Sequence, residues 1–256
     1  MSNAFRVVIP ARYGASRLPG KPLADVGGVP LIGRVLERAR ASAAAEVVVA
    51  TDDQRIADVC RELGADAIMT AQGHRSGSDR VAEVIRQRGW GGDDIVVNLQ
   101  GDEPCMPPSL IDQVATDLAA LDSVGMATLA YPIDDAERLF DPHLVKVVID
   151  AQGFALYFSR APLPWHRDGF LDKRARLPQG TPFLRHIGLY AYRAGFLARF
   201  VTWPQAPLER AESLEQLRVL WHGEPIHVAI ATEEPGPGVD TANDLRLVVQ
   251  RLAIGS

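Results

Sequence analysis

The chain has 256 residues, 47% of them apolar and 23% charged, with a net charge of −5 and two cysteines. This is ordinary globular usage for a single large α/β domain. It excludes a disulfide-stapled secreted scaffold, a collagenous chain and a protein built to coat nucleic acid, and no apolar run reaches the length of a membrane span or forms a signal peptide.

In chain order, Phe5–Pro10 reads as a buried strand and Leu31–Ala41 as a helix with Pro30 at its first turn. A strand over Glu46–Ala50 leads to a helix over Gln54–Leu63, closed by Gly64. A short strand at Ala65–Met69 precedes a helix over Asp79–Arg88, closed by Gly89. Asp94–Leu99 is a strand, Ser109–Leu121 a helix opened by Pro107 and Pro108, and Val124–Ala130 a further strand. This alternation predicts βαβ units, hence an α/β fold with a mostly parallel sheet covered on both faces. The pattern then changes. Val145–Asp150, Ala155–Ser159 and His186–Arg193 read as strands without long helices between them, and Trp165–Gly180 as a polar loop. Helices near Gly195–Thr202 and Glu209–Trp221, a strand at Ile226–Ala231 and a last helix opened by Thr241 and Asp244 complete the chain. No linker or repeat divides it, so a single domain over 1–256 is expected, with an inserted antiparallel section at roughly 145–195.

Charge is unevenly placed. Residues 1–40 hold seven Lys or Arg against two Asp or Glu, an excess of +5, so the remainder carries −10. Only three lysines, Lys21, Lys146 and Lys173, stand against 24 arginines. A lysine retained in such an arginine-biased chain suggests a need for a compact point charge. For Lys173, in a polar stretch, chance survival is the better account.

Lys21 ends the loop after the first strand, Pro10 to Pro22, which also holds Arg12, Arg17, Gly14 and Gly20. Ligands of open α/β sheets bind beyond the C-terminal strand ends, and glycines with backbone N–H groups and cations satisfy phosphate oxygens. The alternative is a solvated basic turn. The loop is not a P-loop, because five residues separate its glycines and Pro22 follows Lys21. No G-x-G-x-x-G follows the first strand, which disfavours a dinucleotide oxidoreductase. At the end of the fourth predicted strand, Asn98–Pro104 offers Asp102 and Glu103. Carboxylates facing a phosphate site suggest Mg²⁺, although an Asp after Gly is often a turn residue. Asp240, on a rigid Pro/Gly approach, is either a helix cap or a second metal ligand. Spacing alone leaves both open.

The motifs VVIPARYGASRLPGKPL (7–23), VVVATDD (47–53), HRSGSDR (74–80), VNLQGDEP (97–104), FLRHIGLYAYRAGFL (183–197), PLERAESLEQLRVLWHGEPIHV (207–228) and PGPGVDTANDL (235–245) make the chain resemble the 3-deoxy-manno-octulosonate (Kdo) cytidylyltransferases over most of its length. The first motif is shared widely among sugar nucleotidyltransferases, whereas QGDEP, FLRHIGLYAYR and E.LEQLR are more particular to the Kdo enzymes. The resemblance implies a Rossmann-like nucleotide-diphospho-sugar transferase fold, a homodimer formed through the antiparallel section, and a cytoplasmic enzyme. It implies that the enzyme makes CMP-Kdo and pyrophosphate from CTP and Kdo for lipopolysaccharide biosynthesis, with Mg²⁺ and without nucleic acid or membrane partners. By family position, Ala11, Arg12, Ser16, Arg17, Lys21, Arg80 and Gln100 bind the nucleotide. Lys21, Arg17, Asp102 and Asp240 are catalytic, with Asp102 and Asp240 holding the metal. Arg167, His186, Tyr190, Glu215 and Gln216 bind the sugar. Without the resemblance, those five read as exposed helix or ordinary strand residues, and Cys105 reads as packing. Ala15-Ser16 and Ser78-Asp79 depart from the family's usual Ser-Thr and Thr-Glu, and Asp79 is the shorter acid beside Arg80. A sister enzyme for sialate or an amino-substituted Kdo is the alternative. A non-catalytic nucleotide sensor is disfavoured by the presence of Lys21, Asp102 and Asp240 together.

Overall fold

The computed structural model describes residues 4–14, 18–170 and 176–254. A parallel β1(Phe5–Ala11), β2(Glu46–Thr51), β3(Asp66–Met69) and β4(Ile95–Asn98) are joined through α1(Leu31–Arg40), α2(Gln54–Glu62) and α3(Gly77–Arg88). After α4(Pro108–Ala119) come β5(Met126–Pro132) and α5(Ala136–Phe140), then the antiparallel β6(Lys146–Ile149), β7(Ala155–Ser159) and β8(Leu184–Arg193). α6(Ala194–Phe200), α7(Pro207–Glu212), α8(Leu217–Trp221), β9(His227–Ile230) and α9(Ala242–Ile254) finish the chain. The strands form one sheet in the order β3-β2-β1-β4-β8-β5-β9, with β6 on β8 and β7 on β6.

The near-continuous apolar strands have the physical consequence expected of a sheet covered on both sides. Val7 and Ile9 of β1 point to a core with α1, α2 and α4, while Val8 points to the opposite core with α3, α6 and α8. Gly64 and Gly89 close their helices in the left-handed region, both at φ 65°, where a Cβ would be strained. Cys60 is buried and its thiol is pushed up to about 11 by that burial, while Cys105 packs half-buried near Val239.

Three local readings are corrected. The short α5 and a 3-10 turn at Lys21–Leu23 were not anticipated. The single helix expected over Glu209–Trp221 is two helices, broken at Ser213 with φ 52° and ψ 47°. The reason is a buried bidentate pair: Arg218 donates to Glu209 at 2.8 and 2.5 Å, with both side chains under 10% exposed. The partners are nine residues apart, which on one continuous helix places them on opposite faces, about 13 Å apart along the axis. The chain must turn back for the charges to meet, and an unpaired buried charge is far more costly than one strained serine.

Candidate active site

The site grows from the sheet edge where β1 and β4 end side by side, with Leu99 N donating to the Val8 carbonyl at 3.1 Å. From β1 the chain leaves through Arg12 and returns at Lys21. Gly20 N donates to the Tyr13 carbonyl at 2.9 Å and closes the loop. The Arg55 guanidinium lies 3.5 Å from the centre of the Tyr13 ring, and Asp53 fixes Arg55 through two hydrogen bonds of 2.9 and 2.7 Å. Those hydrogen bonds hold the Asp53 carboxyl below its ordinary range. From β4 the chain passes close under the same edge. A Cβ at Gly101 would lie 2.7 Å from the Pro10 carbonyl oxygen, so only glycine lets the two strand ends approach.

Val239 N donates to the Asp102 carbonyl at 2.8 Å and so carries Asp240 to the same place. Lys21 joins the three segments. Its ammonium donates to Asp102 Oδ2 at 2.7 Å, to the Val239 carbonyl at 2.8 Å and to Asp240 Oδ1 at 3.4 Å. Asp240 is not the cap of α9. That work falls to Thr241 and Asp244, which exchange side-chain and backbone hydrogen bonds of 3.2 and 2.8 Å. Glu103, next to Asp102, is turned inward. Burial and the charges of Asp102 and Asp240 push its carboxyl up to about 8, against the opposing pull of Arg185 and Lys21.

These segments wall a cavity of about 260 Å³ lined by Ala11, Arg12, Lys21, Arg80, Gln100, Asp102 and Asp240. Seven of the expected nucleotide and metal residues therefore share one space. Ser16 and Arg17 lie outside the described residues. Arg80 is a wall rather than an open cation: its buried guanidinium donates to Asp52 at 2.9 Å and to Thr70 Oγ1. The opposite wall was not singled out from sequence. His74, Arg75, Ser76 and Gly77 line the cavity at the N-terminus of α3, where the helix dipole and backbone N–H groups favour an anion. Ser76 and Asp79 form the capping box. The Ser-x-x-Asp spacing was the signal, and the shorter Asp79 still reaches the Ser76 N–H at 3.2 Å.

Glu83 holds this wall in place. It accepts from Ala71 N at 2.9 Å, bonds His74 Nε2 at 2.5 Å and accepts from Gln87 at 2.9 Å. Burial pushes the Glu83 carboxyl up, but these hydrogen bonds outweigh it and hold the group below its ordinary range. Glu83→Ala is expected to raise KM for the nucleotide roughly three- to tenfold, the scale of one or two lost hydrogen bonds, with little change in Tm. An unchanged KM in steady-state kinetics would show that the loop holds its shape without the carboxylate.

A second cavity, of about 660 Å³, shares the wall at His74, Arg75 and Ser76 and is also lined by Ser213, Glu215 and Arg218. Glu215 accepts from Ser78 Oγ at 2.8 Å, and burial pushes its carboxyl up. Its other oxygen is buried without a hydrogen bond, 3.6 Å from Arg218. Of the expected sugar residues, only Glu215 lines either cavity. Gln216 is buried beneath it. His186 and Tyr190 lie behind, in a row of rings that runs through Tyr192 to Ser78. Arg167 is 94% exposed and pairs only loosely with Asp168, at 3.8 Å.

His186 donates from Nε2 to Thr128 Oγ1 at 2.9 Å, since the threonine hydroxyl itself faces carbonyls of Ile187 and Leu189. Burial depresses the imidazole pKa to about 3. Unfolding lets this group regain protons as pH falls, so its neutral burial contributes stability fully above ~6.5. That contribution is lost between pH 6.5 and about 3. Denaturant titrations should show wild-type stability falling in this window by up to ~1.4 kcal/mol per pH unit more than that of His186→Gln. Parallel pH profiles would mean that the imidazole is already solvated.

The carboxylate pair fits a hard divalent cation. Asp102 and Asp240 present oxygens to one point that already holds a positive charge. Mg²⁺ uses one or two carboxylates plus phosphate oxygens and water. Among the described residues no cluster of three or more His, Cys, Asp or Glu could hold a metal ion.

The chain is similar to known proteins over nearly its whole length. The cytidylyltransferase family model matches residues 6–226. A 3-deoxy-manno-octulosonate cytidylyltransferase of Pseudomonas fluorescens is 60% identical over 248 residues, 97% of this chain and 98% of that protein. One of Pseudomonas syringae pv. syringae is 57% identical over the same shares of both chains. A solved CMP:2-keto-3-deoxy-manno-octonic acid synthetase, complexed with CTP, aligns with a TM-score of 0.90 at 40% identity, covering 99% of this chain and 100% of that one.

Proposed function

The chain belongs to the cytidylyltransferase family, and on that premise we propose that it transfers CMP from CTP to Kdo, giving CMP-Kdo and pyrophosphate and so activating Kdo for lipopolysaccharide biosynthesis. The observation that carries the reading is the convergence of Lys21, Asp102 and Asp240 on the cavity beside the phosphate-type loop. The anomeric hydroxyl oxygen bonds to the α-phosphorus and gives up its proton to water. The bond from the α-phosphorus to the bridging oxygen breaks, and its electron pair leaves with pyrophosphate. Negative charge gathers on phosphoryl oxygens, so fixed positive groups stabilise the transition state most.

Arg12, Lys21 and residues at the start of α3 line the space where those oxygens would lie. Asp102 and Asp240 would hold Mg²⁺, which when bound would supply charge neutralisation for the phosphates and acidify the attacking hydroxyl. Gln100 and the backbone beside Ala11 suit the cytosine edge. The adjoining cavity suits a polyhydroxylated acid. Arg75 on the shared wall offers a fork for a carboxylate, and Glu215 adds an acidic group to the same lining. His186, Tyr190 and Gln216 lie behind Glu215, and Arg167 is not among the residues that line this cavity.

A homodimer through the antiparallel section is part of the same reading, supported by Leu156 of β7 and Trp165, which are 60% and 50% exposed. So is a cytoplasmic place of action, where CTP is supplied; no helix among the described residues is long and apolar enough to cross a membrane. The test is pyrophosphate release with CTP, ATP and GTP against a panel of acidic sugars. CTP with Kdo should dominate. Comparable turnover with ATP, or preference for sialate or an amino-substituted Kdo, would overturn the assignment.

A further inference from the structure

We infer that Ser78, Tyr192 and Asn98 form a one-way chain of hydrogen bonds that turns the Gln100 carbonyl oxygen toward the nucleotide cavity, as the acceptor for a donor group of a substrate. The inference rests on the proposed reaction, and it gives positioning roles to three residues that line neither cavity. All three are buried, at 3%, 1% and 1% exposure. Tyr192 belongs to the apolar cluster of Val48, Val81, Val96 and Phe196, and Asn98 ends a strand that otherwise reads Ile-Val-Val. Apolar side chains would fill both places without burying a polar group. The hydroxyl and the amide therefore need partners, and those partners form a line.

The direction of the line follows from its far end. Ser78 Oγ donates its one proton to Glu215 Oε2 at 2.8 Å. It is left to accept from the Tyr192 hydroxyl, 3.5 Å away. With its own proton spent there, the Tyr192 oxygen accepts from the Asn98 side chain, to which it is hydrogen-bonded. That bond commits the Asn98 amide nitrogen, and Asn98 Oδ1 accepts from Gln100 Nε2 at 3.4 Å. The Gln100 nitrogen is thus directed inward, and Oε1 is left for the cavity that Gln100 lines. The reverse orientation sets two carbonyl oxygens, those of Gln100 and Asn98, against each other. Gly77 leaves room for this amide: a Cβ there would stand 3.3 and 3.4 Å from Gln100 Oε1 and Nε2.

An oriented acceptor recognises a donor. Two substrate groups have that chemistry: the exocyclic amine of cytosine, which uracil replaces with a carbonyl, and a hydroxyl of the sugar. Because the line ends on Glu215 in the adjoining cavity, a carboxylate in one cavity fixes an amide in the other. Each bond in such a chain polarises the next, so a break at its middle reaches Gln100 although no cavity wall is touched.

A double-mutant cycle read by steady-state pyrophosphate release from CTP and Kdo tests this. Tyr192→Phe keeps the ring and breaks the line at its middle. It should lower kcat/KM roughly three- to tenfold, the scale of one lost hydrogen bond. In a Gln100→Ala background its effect should shrink to less than about twofold, because Tyr192 acts through Gln100. Asn98→Ala is the second variant, with the same expectation, and Ser78→Thr, which keeps the hydroxyl, should stay near wild type. A loss larger in KM for CTP, with a narrowed preference for CTP over UTP, identifies the base amine as the donor. A loss larger in KM for Kdo identifies the sugar hydroxyl. Near-normal kcat/KM in both Tyr192→Phe and Asn98→Ala, or equal effects with and without Gln100, would overturn the positioning role and leave the proposed reaction intact. A wild type that releases no pyrophosphate from CTP and Kdo would overturn that reaction, and this inference with it.

Discussion

Asp102→Asn and Asp240→Asn should each lower kcat by about a hundredfold to a thousandfold, and the double variant by little more, because groups acting on one ion act as a unit. The amide keeps the shape of the carboxylate and removes its charge, so packing is left unchanged. Asp240 has a backbone role as well: its N–H donates to Asp244 at 3.1 Å. The amide leaves that bond in place, and α9 retains its Thr241–Asp244 cap. Loss of activity therefore cannot be assigned to a loosened helix. Multiplying losses in the double variant, measured by single-turnover pyrophosphate release, would mean that the two carboxylates act separately. Unchanged activity in Asp240→Asn would reduce that residue to a counter-ion for Lys21.

Lys21→Ala should lower kcat by at least ~100-fold, on the scale of losing one electrostatic stabiliser at a phosphoryl transition state. Its side chain packs in no hydrophobic core and sits in a 3-10 turn whose backbone hydrogen bonds do not need it. Tm should therefore change little. A kcat within a few-fold of wild type would show that Arg12 and the start of α3 balance the phosphate charge without it.

The elements that carry the site were legible because their chemistry is local. The cationic turn after β1, Asp102 after β4 and Asp240 before α9 each stand at a strand or helix end marked by Gly or Pro, and the resemblance tied them together. Their convergence was not legible. Lys21 meets partners 81 and 219 positions away, and no periodicity encodes such a contact. The His74–Glu83 bond was missed for the same reason: it joins a loop to a helix that reads only as amphipathic. Ser213 gave no warning of a helix break, since Ala-Glu-Ser-Leu-Glu contains neither Gly nor Pro and the cause is the Glu209–Arg218 pair. Lys146 illustrates the limit of arguing from rarity. It too survives in an arginine-rich chain, yet it is fully buried and donates to the carbonyls of Asp141 and Leu144 at 2.8 and 2.5 Å. A point charge was needed there for chain geometry, far from the phosphate-type loop in sequence.

β8 lies between β4 and β5 although it is made long after both. While the chain emerges from the ribosome, β1 to β4 can pair through local crossovers, but β5 has no neighbour to pair with until residues 184–193 and then 227–230 appear. Until then the nascent protein carries open edges on β4 and β5, each a template for pairing with another chain. The middle of the sheet is thus closed late, at the cost of a long-range loop closure. Substitutions that weaken β8 should first reveal themselves as lost soluble yield during synthesis, while the molecules that do complete the sheet keep their turnover.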